Sequence, residues 1–453
     1  MISRVVFSLL VLCLCFASLA AQFAPGAPLP QDSTAFFAQL SERATEANKD
    51  VPGNYLEQFT EMQEEHLEDL RTDIRDSLYL FDAEIGTYLT DLMKRIATAN
   101  ALDVDPIVLL RRTQQANAAS MGNGIFAVNL GLFQNLSTEE RLVFVLCHEM
   151  AHDQLEHMQH NLLEYCQREE GLADTRKQLS RRRVLRNKKR RRALASTIRS
   201  RVYTTYRQRR LHELAADSLG LVYYRKLKVS MAGAQHALDG LGARDLAHLS
   251  DVDFVELLKT EGYPIKEKWL AEPATMFGGS FGGQEVPVEG FWESDSVSTH
   301  PNVEERVVRL YEVIASSQAD TTLAETPHSW LPVVDRELIR AQLESGVSGL
   351  AFVNALRVLG AEPDRTDLQA LVGEALLKTY QAIEQHDFDE AVPPPAYFRE
   401  PNARKAARML RQMRKSELKK LTLAYLNERS QLKAEPALTN LLAEAESYFA
   451  SLD

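Results

Sequence analysis

Cysteine is scarce in this 453-residue chain, which has 4: Cys13, Cys15, Cys147 and Cys166. The first two fall in an N-terminal segment expected to be removed, so only Cys147 and Cys166 would persist. On one continuous helix they would stand about 28 Å apart, far beyond disulfide reach. A disulfide framework is therefore excluded as the basis of the fold. Long apolar runs are lacking as well. Beyond the N-terminus no segment reaches the roughly 20 residues a membrane-spanning helix needs, so the mature chain is expected to be soluble or peripheral. Positive charge is not in surplus: 52 Lys and Arg against 63 Asp and Glu give a net charge of −11. That balance argues against a general nucleic-acid binder.

What is present is ordinary globular material, 45% hydrophobic and 25% charged, in a chain longer than one core usually supports. Two domains are the natural expectation. Arg4, the apolar run Val5–Phe16 and the small residues around Ser18-Leu19-Ala20 have the layout of a signal peptide over 1–21. Export is the expectation, with cleavage favoured over a retained anchor because the apolar run is short. Leu12 before Cys13 is too large for a lipoprotein site. Residues 22–54 are expected to be a disordered or loosely ordered lead-in, with Pro-rich 23–33 its clearest part.

From Glu57 to Ala99, apolar residues recur at helical spacing and predict two helices. Ile107–Leu110 and Gly124–Val128 predict short strands. Ser137-Thr138-Glu139-Glu140 has a capping-box pattern, predicting a helix from Ser137 through His152 toward Cys166. Residues 176–210 are rich in Lys and Arg and contain no acid. They predict a basic helical arm, either simply solvated or in contact with an anionic membrane surface or acidic partner. Met276–Gly290 predicts a flexible loop, and helical segments follow from 326 to 453 without a clean fixed period.

The chemistry-bearing motif is His148-Glu149-Met150-Ala151-His152. Residues four apart share a helix face, so both imidazoles can reach one zinc ion, with Glu149 beside it as a proton acceptor for water. Catalytic zinc takes three protein ligands, and Glu213-Leu214-Ala215-Ala216-Asp217 supplies a candidate third. Glu213 would coordinate, and Asp217, four residues on, would accept the outward N–H of a ligand histidine. Cys147 is expected to be a buried apolar filler, and His160 and His212 to be incidental.

These paired motifs resemble those of the HtpX-like and CAAX-prenyl-protease-like zinc metallopeptidases, which are gluzincins. Gly124-Ile125-Phe126-Ala127-Val128-Asn129, with Gly131-Leu132, resembles that family's edge strand and following turn. His157 matches a recurring histidine of unassigned role, and Thr299-His300-Pro301 with Arg306 resembles a downstream element. The signal-like N-terminus makes the chain most similar to the BepA-like periplasmic branch. The resemblance covers roughly Asp82 to Leu310.

The resemblance implies an α+β, predominantly helical fold with a metallopeptidase domain over 55–325; the α-helical C-terminal domain over 326–453 is read from the residues themselves and departs from that branch, whose tetratricopeptide character it does not show. It implies one Zn2+ held by His148, His152 and Glu213, with Glu149 catalytic and Asp217 behind a ligand. Gly124, Ile125, Phe126, Ala127 and Val128 would hold extended substrate through main-chain hydrogen bonds. His300 would support the transition state, latch the zinc, or be a surface histidine. Arg306 would pair with an acid near the site or brace the packing. The implied function is an envelope endopeptidase acting on unfolded or misfolded proteins. A chaperone-like scaffold, binding an envelope partner through its C-terminal helices, is the alternative.

Overall fold

The computed structural model describes residues 33–81, 83–136, 138–167, 210–242, 252–272, 303–316, 329–398, 400–432 and 436–452. The signal-like segment, nearly all of the basic stretch, the glycine-rich loop and His300 lie outside the described residues. The fold is mostly helical with one small mixed sheet. It is the α+β arrangement expected from the sequence. No described helix is long and apolar enough to cross a membrane.

Packing divides the chain into two units. One comprises residues up to Arg111, Ala118–Asn129 and Val143–Val229; the other takes Arg112–Asn117, Leu130–Leu142 and the chain from Ser230 onward.

In the first unit, α1 (Ser33–Glu46) and α2 (Leu56–Arg75) pack against the sheet. Leu40 is fully buried among Leu70, Ile74, Tyr79, Leu109 and Ile125, with Phe36 and Phe37 beside it. The lead-in expected over 22–54 is therefore ordered from Ser33, because Phe36, Phe37 and Leu40 form one apolar helical face. Helix α3 (Ala83–Asn100) buries Ile85, Leu89, Leu92, Met93 and Ile96 at three- and four-residue spacing. Its last residue is tied down where Asn100 Nδ2 donates to the Tyr223 carbonyl at 3.3 Å.

The sheet comprises β1 (Tyr79–Leu80), β2 (Ile107–Arg111), β3 (Ala118–Gly122) and β4 (Ile125–Asn129), in the order β1-β2-β4-β3. β4 runs parallel to β2 and antiparallel to β3. The expected edge strand needs correction on this point. Ile125–Val128 has a partner on both sides, so its main-chain groups are committed to the ladders, and among the described residues β3 and β1 are the outer strands. β3 and β4 are joined by a tight hairpin with positive φ at Gly122 (86°), Asn123 (54°) and Gly124 (74°). The left-handed values at Asn123-Gly124 are those of the turn most often used in two-residue hairpins.

Helix α4 (Glu139–Gln154) carries the first motif. The expected continuous helix toward Cys166 does not form. The chain turns at Leu155–Glu156, with Glu156 at φ 52°, and resumes as α5 over 157–167. Leu155 and Glu156 donate back to the carbonyls of Ala151 and Asp153, closing α4 with a left-handed cap. Cys147 and Cys166 are consequently not on one helix; both are buried free thiols. Helix α6, over 210–226, carries the second motif.

The second unit is a helical assembly around Phe352, Leu356, Leu376, Leu410, Tyr425 and Leu426, all essentially inaccessible. Its C-terminal part comprises Leu331–Glu344, Ser348–Ala361, Thr366–Gln385, Pro401–Gln412, Lys415–Leu432 and Pro436–Ala450, with shorter turns between. Gly373 lets two of these helices close together, since a Cβ there would lie 2.3 Å from Leu426 Cδ2.

Candidate metal centre

Helices α4 and α6 meet at a close crossing. Gly220 of α6 sits against the backbone of α4, where a Cβ would lie 3.0 Å from His148 Cα and 3.2 Å from the Cys147 carbonyl oxygen. The missing side chain permits the approach. Phe144 of α4 and Tyr224 of α6 lock it with an edge-to-face ring contact, 5.7 Å between centroids.

One end of this crossing brings three ligand atoms together. His148 Nε2 lies 3.0 Å from His152 Nε2. Glu213 places one carboxylate oxygen 3.5 Å from His148 Nε2 and the other 3.5 Å from His152 Nε2. A tetrahedron built on zinc–ligand bonds of about 2.0–2.1 Å has an edge of about 3.3 Å, so these separations fit one zinc ion. Two imidazoles and a carboxylate also form the right donor set, with a fourth direction left for water or substrate. Among the described residues, His148, His152 and Glu213 form a group able to hold a metal ion. His148 and Glu213 are 6% and 7% exposed in their side chains against 14% for His152.

The surrounding side chains are arranged around these three. Asp217 Oδ1 is 3.0 Å from His148 Nδ1, the nitrogen turned away from the cluster. Glu149 is 3% exposed, and its Oε2 accepts the backbone N–H of Ser120 at 2.8 Å. That N–H belongs to β3, so the edge strand is joined directly to the acidic residue of the motif. Asp153 Oδ1 accepts from Gly124 N at 2.9 Å, pinning the β3–β4 turn to α4. Burial raises the Asp153 carboxyl above its usual range, and the Gly124 N–H works against that rise.

His157, returned toward α4 by the turn at Leu155–Glu156, places Nδ1 at 2.8 Å from His152 Nδ1. Its other face stacks on His212 at 4.1 Å and 10°. Burial, and after it the neighbouring His212, bring the His157 pKa down to about 4, so the ring is neutral near pH 7. His212 does not join the ligand group, but it is packed into the site's surroundings, which its sequence position did not suggest. Cys147 is fully buried outside the ligand group, and burial pushes its thiol up.

A model of peptidase family M48 matches residues 86–314, just over half of the chain. The chain belongs to peptidase family M48. Membership implies a zinc-dependent metalloprotease, and the His148, His152 and Glu213 cluster lies inside the matched region of this M48 chain. No curated protein matches it significantly.

Other expected site residues fall elsewhere. Arg306 is buried, 3% exposed, on the helix Val303–Ser316 of the second unit. His300 lies outside the described residues. Gly124–Val128, expected to bind substrate as an edge, are covered by β2 and β3. Ser120, Gly220 and the His157–His152 contact were missed by sequence reasoning. The Asn123-Gly124 pair was a hairpin signal that could have revealed β3. Gly220, seven residues after Glu213 and on the same helical face, could have marked the close crossing.

Proposed function

We propose that this M48 chain is a zinc endopeptidase of the cell envelope, of the HtpX-like type and most similar to the BepA-like branch, acting on exposed or misfolded protein segments. The observation that carries the catalytic part is the convergence of His148 Nε2, His152 Nε2 and the Glu213 carboxylate at separations of 3.0–3.5 Å. In this reading His148, His152 and Glu213 hold one zinc. When bound, zinc supplies a Lewis acid that polarises a peptide carbonyl and acidifies a water. Glu149 takes the proton from the attacking water and returns it to the leaving amine. Its bond from Ser120 N keeps the carboxylate aimed during both transfers. Asp217 holds His148 by the nitrogen that does not face the cluster.

β3 supports the endopeptidase reading. An extended substrate can add to an edge strand through main-chain hydrogen bonds, without regard to its sequence or to a free terminus. That mode suits exposed stretches of unfolded protein. The signal-like N-terminus supports export to the periplasm, and the basic stretch 176–210 supports attachment to an anionic membrane surface. The C-terminal helices would serve envelope partners. The roles that the resemblance implies for His300 and Arg306 are carried as part of this proposal.

The test is digestion of an unfolded protein blocked at both termini. The wild-type chain should produce internal fragments, and Glu149→Gln should be slower by a factor of about 10² to 10⁴ while keeping its zinc. Absence of cleavage with the blocked substrate, alongside trimming of an unblocked one, would contradict the endopeptidase assignment.

A further inference from the structure

His157 stands outside the ligand group yet is among the most closely placed side chains around it. It is 6% exposed, with Nδ1 at 2.8 Å from His152 Nδ1 and its face stacked on His212. A residue five beyond His152 on an unbroken helix would lie about 140° around the axis from it. The left-handed turn at Glu156 brings His157 back.

Two imidazole nitrogens at this distance share one proton: one ring donates and the other accepts. The proton's place follows from what the opposite side of His152 faces. His152 Nε2 points to His148 Nε2 at 3.0 Å and to Glu213 at 3.5 Å. A neutral ring that offers Nε2 to a cation carries its hydrogen on Nδ1. His152 therefore donates and His157 accepts.

We propose that His157 is a positioning residue, whose bare Nδ1 holds His152 in the tautomer and ring orientation that present Nε2 to the metal. This rests on the zinc site proposed above. Asp217 Oδ1 stands 3.0 Å from the corresponding nitrogen of His148, so the two histidines of one motif face different acceptors, one a carboxylate and the other an imidazole. His212 completes the arrangement, because its stacked ring limits rotation of His157.

A role in packing alone makes a different prediction. His157→Phe keeps an aromatic ring against His212 and removes the acceptor. His157→Asn gives up the ring but places an oxygen close to the position of Nδ1. Zinc affinity of the full chain is measured by competition with a chromophoric chelator, alongside thermal unfolding of the metal-free proteins. His157→Phe should bind zinc about 10- to 100-fold more weakly than wild type. His157→Asn should recover most of that loss, and the metal-free melting temperatures should not account for the order. Wild-type affinity in His157→Phe, or equal weakening in both variants, would overturn the assignment. Failure of the wild type to take up zinc would instead remove the site itself, so the two failures are distinguishable.

Discussion

At position 220 a hydrogen atom occupies the place where any other residue would have a carbon, and that carbon would lie 3.0 Å from His148 Cα. The contact is with backbone, which cannot swing aside as a side-chain tip could. Gly220→Ala would require a shift of a few tenths of an ångström, and Gly220→Val considerably more. We expect Gly220→Val to separate α6 from α4, displace Glu213 and weaken zinc binding at least about tenfold, as loss of supporting contacts at metal sites typically does. Chelator competition checks this; unchanged affinity would mean that Glu213 is held independently of the crossing. At this scale the sequence was most readable where chemistry imposes spacing. His148 with His152, and Glu213 with Asp217, are each four apart, and the structure brings three of these residues into one cluster. The contact between His157 and His152 was not readable, because five-residue spacing points away on a continuous helix and only the turn at Leu155–Glu156 reverses it.

Strand β3 shows how an element can be missed and still reach the site, through the Ser120 N–H that Glu149 accepts. Ala118-Ala119-Ser120-Met121-Gly122 lacks the β-branched and aromatic residues that announce a strand. It pairs because the Asn123-Gly124 turn folds it onto β4, whose own sequence is strongly strand-forming. Ile125–Val128 was recognisable as a strand, but its position in the sheet was not, since strand order depends on partners distant in sequence. Ser120 provides the element's test. Its N–H serves Glu149 and not the β4 ladder, so a proline there is compatible with an edge strand. Ser120→Pro should retain zinc while lowering kcat about 10- to 100-fold, the scale of one hydrogen bond to a charged group of about 1.5–3 kcal/mol. An unchanged kcat in a folded, zinc-loaded variant would show that Glu149 needs no main-chain support.

Over the whole molecule, the α+β class and the helical C-terminal region were legible from periodicity, helix caps and punctuation such as Gly360-Ala361-Glu362-Pro363. The division into units was not. Arg112–Asn117 and Leu130–Leu142 group with residues beyond Ser230, through contacts such as Gln134 Nε2 to Asp335 Oδ1 at 2.6 Å and Gln342 Nε2 to Gln114 Oε1 at 3.2 Å. Nothing local in those segments signals a partner 200 residues away. The ordered lead-in from Ser33 has the same explanation, since Leu40 acquires its burial from α2 and the sheet. The residues proposed for zinc binding and proton transfer nevertheless all fall within one unit, so a single quantity tests the core of the account. Zinc content per chain should be measured by elemental analysis on purified wild type, Glu149→Gln and Glu213→Ala. One zinc is expected in the wild type, one in the catalytically impaired Glu149→Gln, and little or none in Glu213→Ala. A full equivalent retained by Glu213→Ala, or loss of the metal from Glu149→Gln, would contradict it.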